Sequence, residues 1–244
     1  MKKTTLAALA ILFGASGAFA QDVLRMGSEG AYPPYNFLND ATGELDGFER
    51  ELGDEICARA ELNCEWVIND WDTIIPNLVS GNYDTIMAGM SITEARMEVI
   101  AFTQNYLLPE PSAFIALADT DVSVRDSGVI AAQSNTIQAG FIAETDADLL
   151  EFPTPDETIS ALRNGEADAV LADKAFLAPY VADSNGELVF LGDDVILGGG
   201  IGIGLRQSDT ELRATLDAVI DEMKADGSLN VMIEKWFGAD HPKF

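Results

Sequence analysis

The chain has 244 residues, with 41 acidic against 14 basic side chains and a formal net charge of −27. A surface this acidic repels nucleic acid and anionic membrane, so neither is an expected partner. The length suits one to two domains and 48% hydrophobic residues supply ample core, so the acidity reads as a self-repelling soluble surface or as an attraction for a cationic ligand.

The first residues stand apart from the fold. Lys2 and Lys3 form a basic start, residues 6–13 an apolar stretch, and Ala18-Phe19-Ala20 a cleavage signal before Gln21. This is the pattern of a secretory signal peptide over 1–20. The apolar stretch is too short to favour a membrane span, and no cysteine follows the small residues to carry a lipid. The expected product is a soluble periplasmic monomer of a Gram-negative cell. Its compartment is oxidising, so the two cysteines, Cys57 and Cys64, read as a disulfide. Closing so short a loop contributes roughly 2.5 kcal/mol in the chain-entropy model. The cysteines lack C-x-x-C spacing and the one histidine, His241, sits in the tail, so no metal or cofactor is expected.

The mature chain opens with a short strand at 23–26, then a loop at 27–35 stiffened by Pro33-Pro34 and opened by glycines. Residues 40–47 make a polar turn. Residues 48–60 have helical spacing, with Phe48, Leu52, Ile56 and Ala60 on one face. A strand at 64–68 precedes a helix from Trp71 to about residue 81, with Pro76 in its early part, where proline is tolerated. Thr85-Ile86-Met87 is a buried strand. The loop after it, Ala88-Gly89-Met90-Ser91-Ile92, offers free backbone groups and a hydroxyl, and Thr93 caps a short helix that carries Arg96 on its first turn. A guanidinium beside such a loop suits a carboxylate, although a structural ion pair is the competing explanation. Residues 100–102 complete a β-α-β-α-β half sheet.

Residues 106–117 are extended, with Pro109 and Pro111 inside, and cross to a second lobe that repeats the scheme. Strands are expected at 129–132, 149–152, 169–172 and 188–191, the last closing the lobe. Gln133-Ser134-Asn135-Thr136 starts a helix to about residue 144, and Thr154-Pro155-Asp156-Glu157 is a capping box opening a helix to 164. Asp173 caps the next helix. The glycine-rich run 197–205 is the return crossing, and Gly198-Gly199-Gly200 lacks the Lys-Ser/Thr that a phosphate loop needs. Ser208-x-x-Glu211 reads as a second capping box, on a helix whose Leu212, Leu216, Val219 and Met223 share a face and which Gly227 ends. A final helix carries Val231, Met232, Trp236 and Phe237. The expected architecture is two α/β lobes joined by two hinge strands, lobe 1 from 21–108 and 201–244 and lobe 2 from 109–200, with a ligand cleft at the strand ends.

Several motifs occur in an order that resembles one family. They are Gly30-Ala31-Tyr32-Pro33-Pro34-Tyr35-Asn36-Phe37, Gly47-Phe48-Glu49, Trp71-Asp72-x-x-Ile75-Pro76-x-Leu78, and Met87-Ala88-Gly89-Met90-Ser91-Ile92-Thr93-x-x-Arg96. Gly165-x-Ala167-Asp168-Ala169-Val170-x-Ala172-Asp173 and the ending Asp226-Gly227-Ser228…Lys235-Trp236-Phe237-Gly238 follow. The chain resembles periplasmic binding proteins for polar amino acids, the capture components of ABC importers, over nearly all of 22–240. The resemblance implies the type II periplasmic-binding-protein fold and a membrane permease and ATPase as partners. The cysteine pair matches the disulfide of the lysine/arginine/ornithine- and histidine-binding members.

By position, the resemblance has Arg96 clamp the ligand α-carboxylate, with Ser91 and the backbone N–H of Thr136. Asp173 takes the α-ammonium with the carbonyl of Ala88 or Gly89, next to Met90. Tyr32 and Trp71 sandwich the side chain, and Glu29 meets a distal cation. Gln133 and Asn135 flank the site. Simpler explanations stay open: Asp173 as a plain helix cap, Trp71 as core, Tyr32 as turn packing, Gln133 and Asn135 as turn formers. Arg50 stands where the family has an apolar residue, and either points to solvent or reaches the cleft against a cationic ligand. Ala88-Gly89 matches the glutamine binders rather than the double serine of the histidine and lysine/arginine binders. The expected ligand is arginine, lysine, ornithine or an opine, then glutamine or another neutral polar amino acid, then ectoine. The chain is not read as an enzyme. The rival classes are an enzyme similar to cyclohexadienyl dehydratase and a sensor subunit that docks on a chemoreceptor.

Overall fold

The computed structural model describes residues 23–244; the expected signal peptide lies outside the described residues. Strand β1 (Leu24–Ser28) leads into a small antiparallel sheet of β2 (Ala31–Tyr32), β3 (Asn36–Leu38) and β4 (Leu45–Asp46). The polar turn expected over 40–47 therefore ends in a strand, β4. Helix α1 (Phe48–Arg59) follows from the apolar spacing: Phe48, Leu52 and Ile56 are fully buried. Each such side chain contributes about 1.5–3 kcal/mol. Cys57 and Cys64 form a disulfide, Cα–Cα 6.3 Å, tying the end of α1 to β5 (Cys64–Ile68). Helix α2 (Trp71–Val79) carries Pro76 in its interior rather than in its first turn. After β6 (Thr85–Ile86) comes α3 (Glu94–Met97), with the Thr93 hydroxyl accepting the Arg96 N–H at 3.2 Å.

The extended run 106–117 is two strands, not one. β7 (Ala101–Leu107) belongs to the first large sheet, β8 (Pro111–Leu117) to the second, and residues 108–110 join them. Pro111 opens its strand, where a missing N–H is tolerated. The second lobe then runs α4 (Val124–Ser127), β9 (Val129–Gln133), α5 (Ile137–Ala143), β10 (Asp148–Phe152), α6 (Pro155–Asn164), β11 (Ala169–Asp173), α7 (Lys174–Asp183) and β12 (Leu188–Phe190). The Thr154–Glu157 capping box is formed. One more strand, β13 (Val195–Ile196), pairs with β8, so β12 does not close the lobe.

The chain returns through Gly198-Gly199-Gly200 into β14 (Ile201–Leu205), a strand of the first sheet. Gly200 sits at φ +92°, and a Cβ there would lie 2.5 Å from the Leu107 carbonyl oxygen, so the two crossings pass backbone against backbone. Helix α8 (Thr210–Asp226) ends at Gly227 in the left-handed region, and α9 (Ser228–Phe237) follows. The capping box at Ser208 does not form. The N-cap falls one residue later, on Asp209, whose carboxylate is drawn to Arg206 at 2.8 Å.

The first large sheet has the order β5-β1-β6-β14-β7, with β1 parallel to both its neighbours and β14 antiparallel to both of its own. The second has the order β10-β9-β11-β8-β12, with β8 antiparallel among parallel strands. Each sheet is the floor of one lobe, and the strand ends face the cleft between them. Among the described residues no helix is long and apolar enough to cross a membrane.

Candidate ligand-binding site

Arg96 is aimed by the short helix α3. Its Nη1 donates to the Ser91 carbonyl (2.8 Å) and its Nη2 to the Asn135 carbonyl of the other lobe (3.2 Å). The guanidinium lies 5.3 Å from the centre of the Trp71 ring, a cation–π contact. Burial lowers its pKa to about 10, against the pull of Asp173. Five N–H donors on a guanidinium leave part of the fork without a protein partner.

Asp173 faces the same cavity from the other lobe. It occupies the N-cap position of α7, yet its side chain does not cap. Instead Oδ2 accepts the Tyr32 hydroxyl (2.8 Å) and Oδ1 accepts Gln138 Nε2 (3.1 Å). Capping alone therefore does not account for this aspartate. Burial, and then the charge of Glu110, push its pKa up to about 7. The Tyr32 ring is stacked on Phe176 of the second lobe (4.5 Å) and on Tyr35 (5.4 Å).

Glu29 is buried at 8% exposure, at the end of β1. Its Oε1 accepts Gln133 Nε2 across the cleft at 2.7 Å. Burial pushes its pKa up to about 7, and the charges of Asp70, Asp72 and Glu49 add to the rise. A buried carboxyl in this state is short of a cation.

Glu29, Tyr32, Arg96, Gln133 and Asp173 line one cavity with Trp71, Ala88, Gly89, Ser91 and Thr136. Sequence reasoning missed Ile137, Gln138, Pro155, Thr158, Leu171 and Ala172, which line it too. Of these, Gln138 follows a polar turn and was within reach of motif reading; the others enter from helix and strand ends that only packing brings in. Two residues grouped with the site lie elsewhere. Met90 is fully buried in the core around Trp71 and Ile74. Asn135 sits in the seam outside the cavity, where its Nδ2 donates to Asp72 Oδ1 at 2.9 Å, beside Ser134 Oγ at 2.6 Å. The loop after β6 is also less open than its sequence suggests, because the Gly89 N–H donates to Glu49 Oε1 (2.7 Å). Glu49 is wholly buried and also accepts from Asn36 Nδ2 and the Tyr106 hydroxyl, so it splints the loop to α1. Arg50 pairs with Asp54 at 2.7 Å and lies over Trp66, away from the cavity.

Behind the aromatic stack, Glu110 sits in the outward crossing. It accepts the Tyr35 hydroxyl (2.8 Å), and His241 Nε2 lies 2.8 Å from its other oxygen. The tail histidine, stacked on Phe237, thus packs against the hinge.

Two α/β lobes, a double crossing, and a half-buried cation and anion facing one cavity define a cleft-type binding protein for a small dipolar molecule. The chain belongs to the bacterial extracellular solute-binding proteins, family 3, whose model matches residues 24–239. It is 32% identical to the lysine/arginine/ornithine-binding periplasmic protein of Escherichia coli K12, over 97% of each chain. It is 30% identical to an L-arginine-binding protein of Pseudomonas aeruginosa, over 98% of each. A crystal structure of a periplasmic His/Glu/Gln/Arg/opine family-binding protein from Silicibacter pomeroyi, in complex with lysine, is 66% identical, with a TM-score of 0.87 over 91% of this chain and 100% of that one. The fold is the type II periplasmic-binding-protein fold of these relatives.

Proposed function

We propose that this chain is the periplasmic substrate-binding component of an ABC importer and captures a cationic L-amino acid between its lobes. The observation that carries the reading is the placement of Arg96 and Asp173 on opposite lobes, facing one cavity, with Glu29 also buried in its wall. A zwitterion needs one fixed cation and one fixed anion, and a basic side chain needs a second anion. Arg96, with Ser91 and the Thr136 N–H, holds the α-carboxylate. Asp173 holds the α-ammonium with the Ala88 or Gly89 carbonyl. Tyr32 and Trp71 wall the alkyl chain, and Glu29 meets the distal charge. Lobe 1 is 21–108 with 201–244, lobe 2 is 109–200, and the leader 1–20 is removed on export. No bond is broken; the closed form hands its ligand to a permease driven by an ATPase.

Glutamine leaves Glu29 without a cation. The test is a thermal-shift screen of the secreted protein against amino acids, opines and osmolytes, because a ligand of the native state alone raises the melting point. Lysine, ornithine or arginine is expected to give the largest rise. A rise with none of them overturns the reading.

One observation favours a second reading. Two cleft carboxyls with pKa values near 7, Glu29 and Asp173, are suited to general acid work. Turnover of prephenate or arogenate would establish a dehydratase; absence of product dismisses it.

A further inference from the structure

The Glu29 carboxylate does not stand free. Gln133, the last residue of β9, donates from Nε2 to Glu29 Oε1 (2.7 Å) and from the same nitrogen to the Pro153 carbonyl (3.1 Å). These two bonds use both protons of the amide nitrogen. Turning the amide over would set its oxygen against two other oxygens, so its neighbours dictate its orientation. Pro153 lies in the second lobe between β10 and α6, which anchors the amide on that side. Gln133 and Glu29 are each 8% exposed, so water offers no alternative partner.

This matters for the shape of the cation that Glu29 can accept. A guanidinium docks on a carboxylate through two parallel N–H···O bonds and draws on both oxygens. An ammonium is a compact point charge that is served by one oxygen. With Gln133 on Oε1, an incoming fork must share that oxygen with the amide, whereas an ammonium is served by Oε2 alone.

We propose that Gln133 sets the choice among basic side chains: by crowding one oxygen of Glu29 with its own N–H it favours an ammonium-ended amino acid, lysine or ornithine, over arginine. The inference rests on the cationic amino-acid reading of the cleft and names the specificity residue within it. The side chain that Gln133 admits ends in a primary ammonium, and loss of the amide leaves both oxygens wholly to a guanidinium.

The test is calorimetric titration of the secreted protein with lysine, ornithine and arginine, for the wild type, Gln133→Leu and Gln133→Asn. Leucine keeps the bulk without the donor; asparagine keeps the amide but shortens its reach. The wild type is expected to bind lysine about tenfold or more tighter than arginine, and both variants to narrow that ratio about tenfold. A general loss of affinity from a weaker lobe contact would move both ligands together and leave the ratio alone. A ratio unchanged in both variants, or a wild type that prefers arginine, overturns the role of Gln133 while leaving the cationic reading standing. Failure of all three amino acids to bind the folded wild type overturns both.

Discussion

At the residue scale, the proposed capture of a dipolar ligand rests on Arg96 and the two raised carboxyls. Removing Arg96 leaves a ligand carboxylate buried without its cation, which costs roughly 3–5 kcal/mol, on the order of a 10²–10³-fold or greater loss of affinity. Calorimetry of Arg96→Ala with the cognate amino acid is expected to show that loss; a change under about tenfold would count against the clamp. Glu29 and Asp173 add a pH dependence. Both hold protons more tightly in the closed, empty cleft than in the unfolded chain. Each therefore disfavours that state increasingly as pH climbs from about 4 toward about 7. The ligand requires both ionised, so it expels protons on binding. Affinity for lysine is expected to rise between about pH 5.5 and 8 and then level off, with proton release detectable in buffers of different ionisation enthalpy. An affinity that is flat or falls across that range contradicts the assignment. The sequence pointed to Arg96 and Asp173 because each lies in an ordered motif. It did not reveal that Gln138 and Tyr32 share Asp173, since those bonds join residues 35 and 141 positions away from it.

At the element scale, short segments do the positioning. One turn of helix, α3, capped by Thr93, aims Arg96, and the buried Glu49 of α1 holds the loop before it. Thr93 and the apolar spacing of α1 were both plain in the sequence, because capping and helical periodicity are local. The boundary between β7 and β8 was not, since both halves of the run favour extended backbone and only pairing partners separate them. Ser208 misled for a similar reason: its capping pattern is local, while Arg206, held by the Tyr83 carbonyl and Asp84, decides where Asp209 goes. The return crossing depends on Gly200. In Gly200→Ala the new Cβ meets the Leu107 carbonyl at a positive φ. A loss of about 1–3 kcal/mol of stability is expected in urea unfolding, and an unchanged midpoint would show that the crossings can part without strain.

At the scale of the whole molecule, the cleft is held shut by few contacts. Tyr32 reaches Asp173, Gln133 reaches Glu29, Arg96 reaches the Asn135 carbonyl, and Ser134 and Asn135 reach Asp72. A ligand favours this state only through interactions that the open lobes cannot make. Small-angle scattering is expected to give a smaller radius of gyration with lysine than without it; equal radii would mean that binding does not close the lobes. Glu110, bonded to Tyr35 and close to His241, ties the hinge to the aromatic wall of the cleft, so hinge and site are one packed unit. The sequence by itself determined most of the elements and the disulfide pair, and pointed to Arg96 and Asp173 as the two poles, because periodicity, caps and spaced motifs are written locally. Only the tertiary structure decided which carboxylate oxygens already hold a donor, which aromatic faces are covered and where Met90 and Asn135 lie. Those depend on side chains from two lobes meeting across a gap, and no local pattern encodes that meeting.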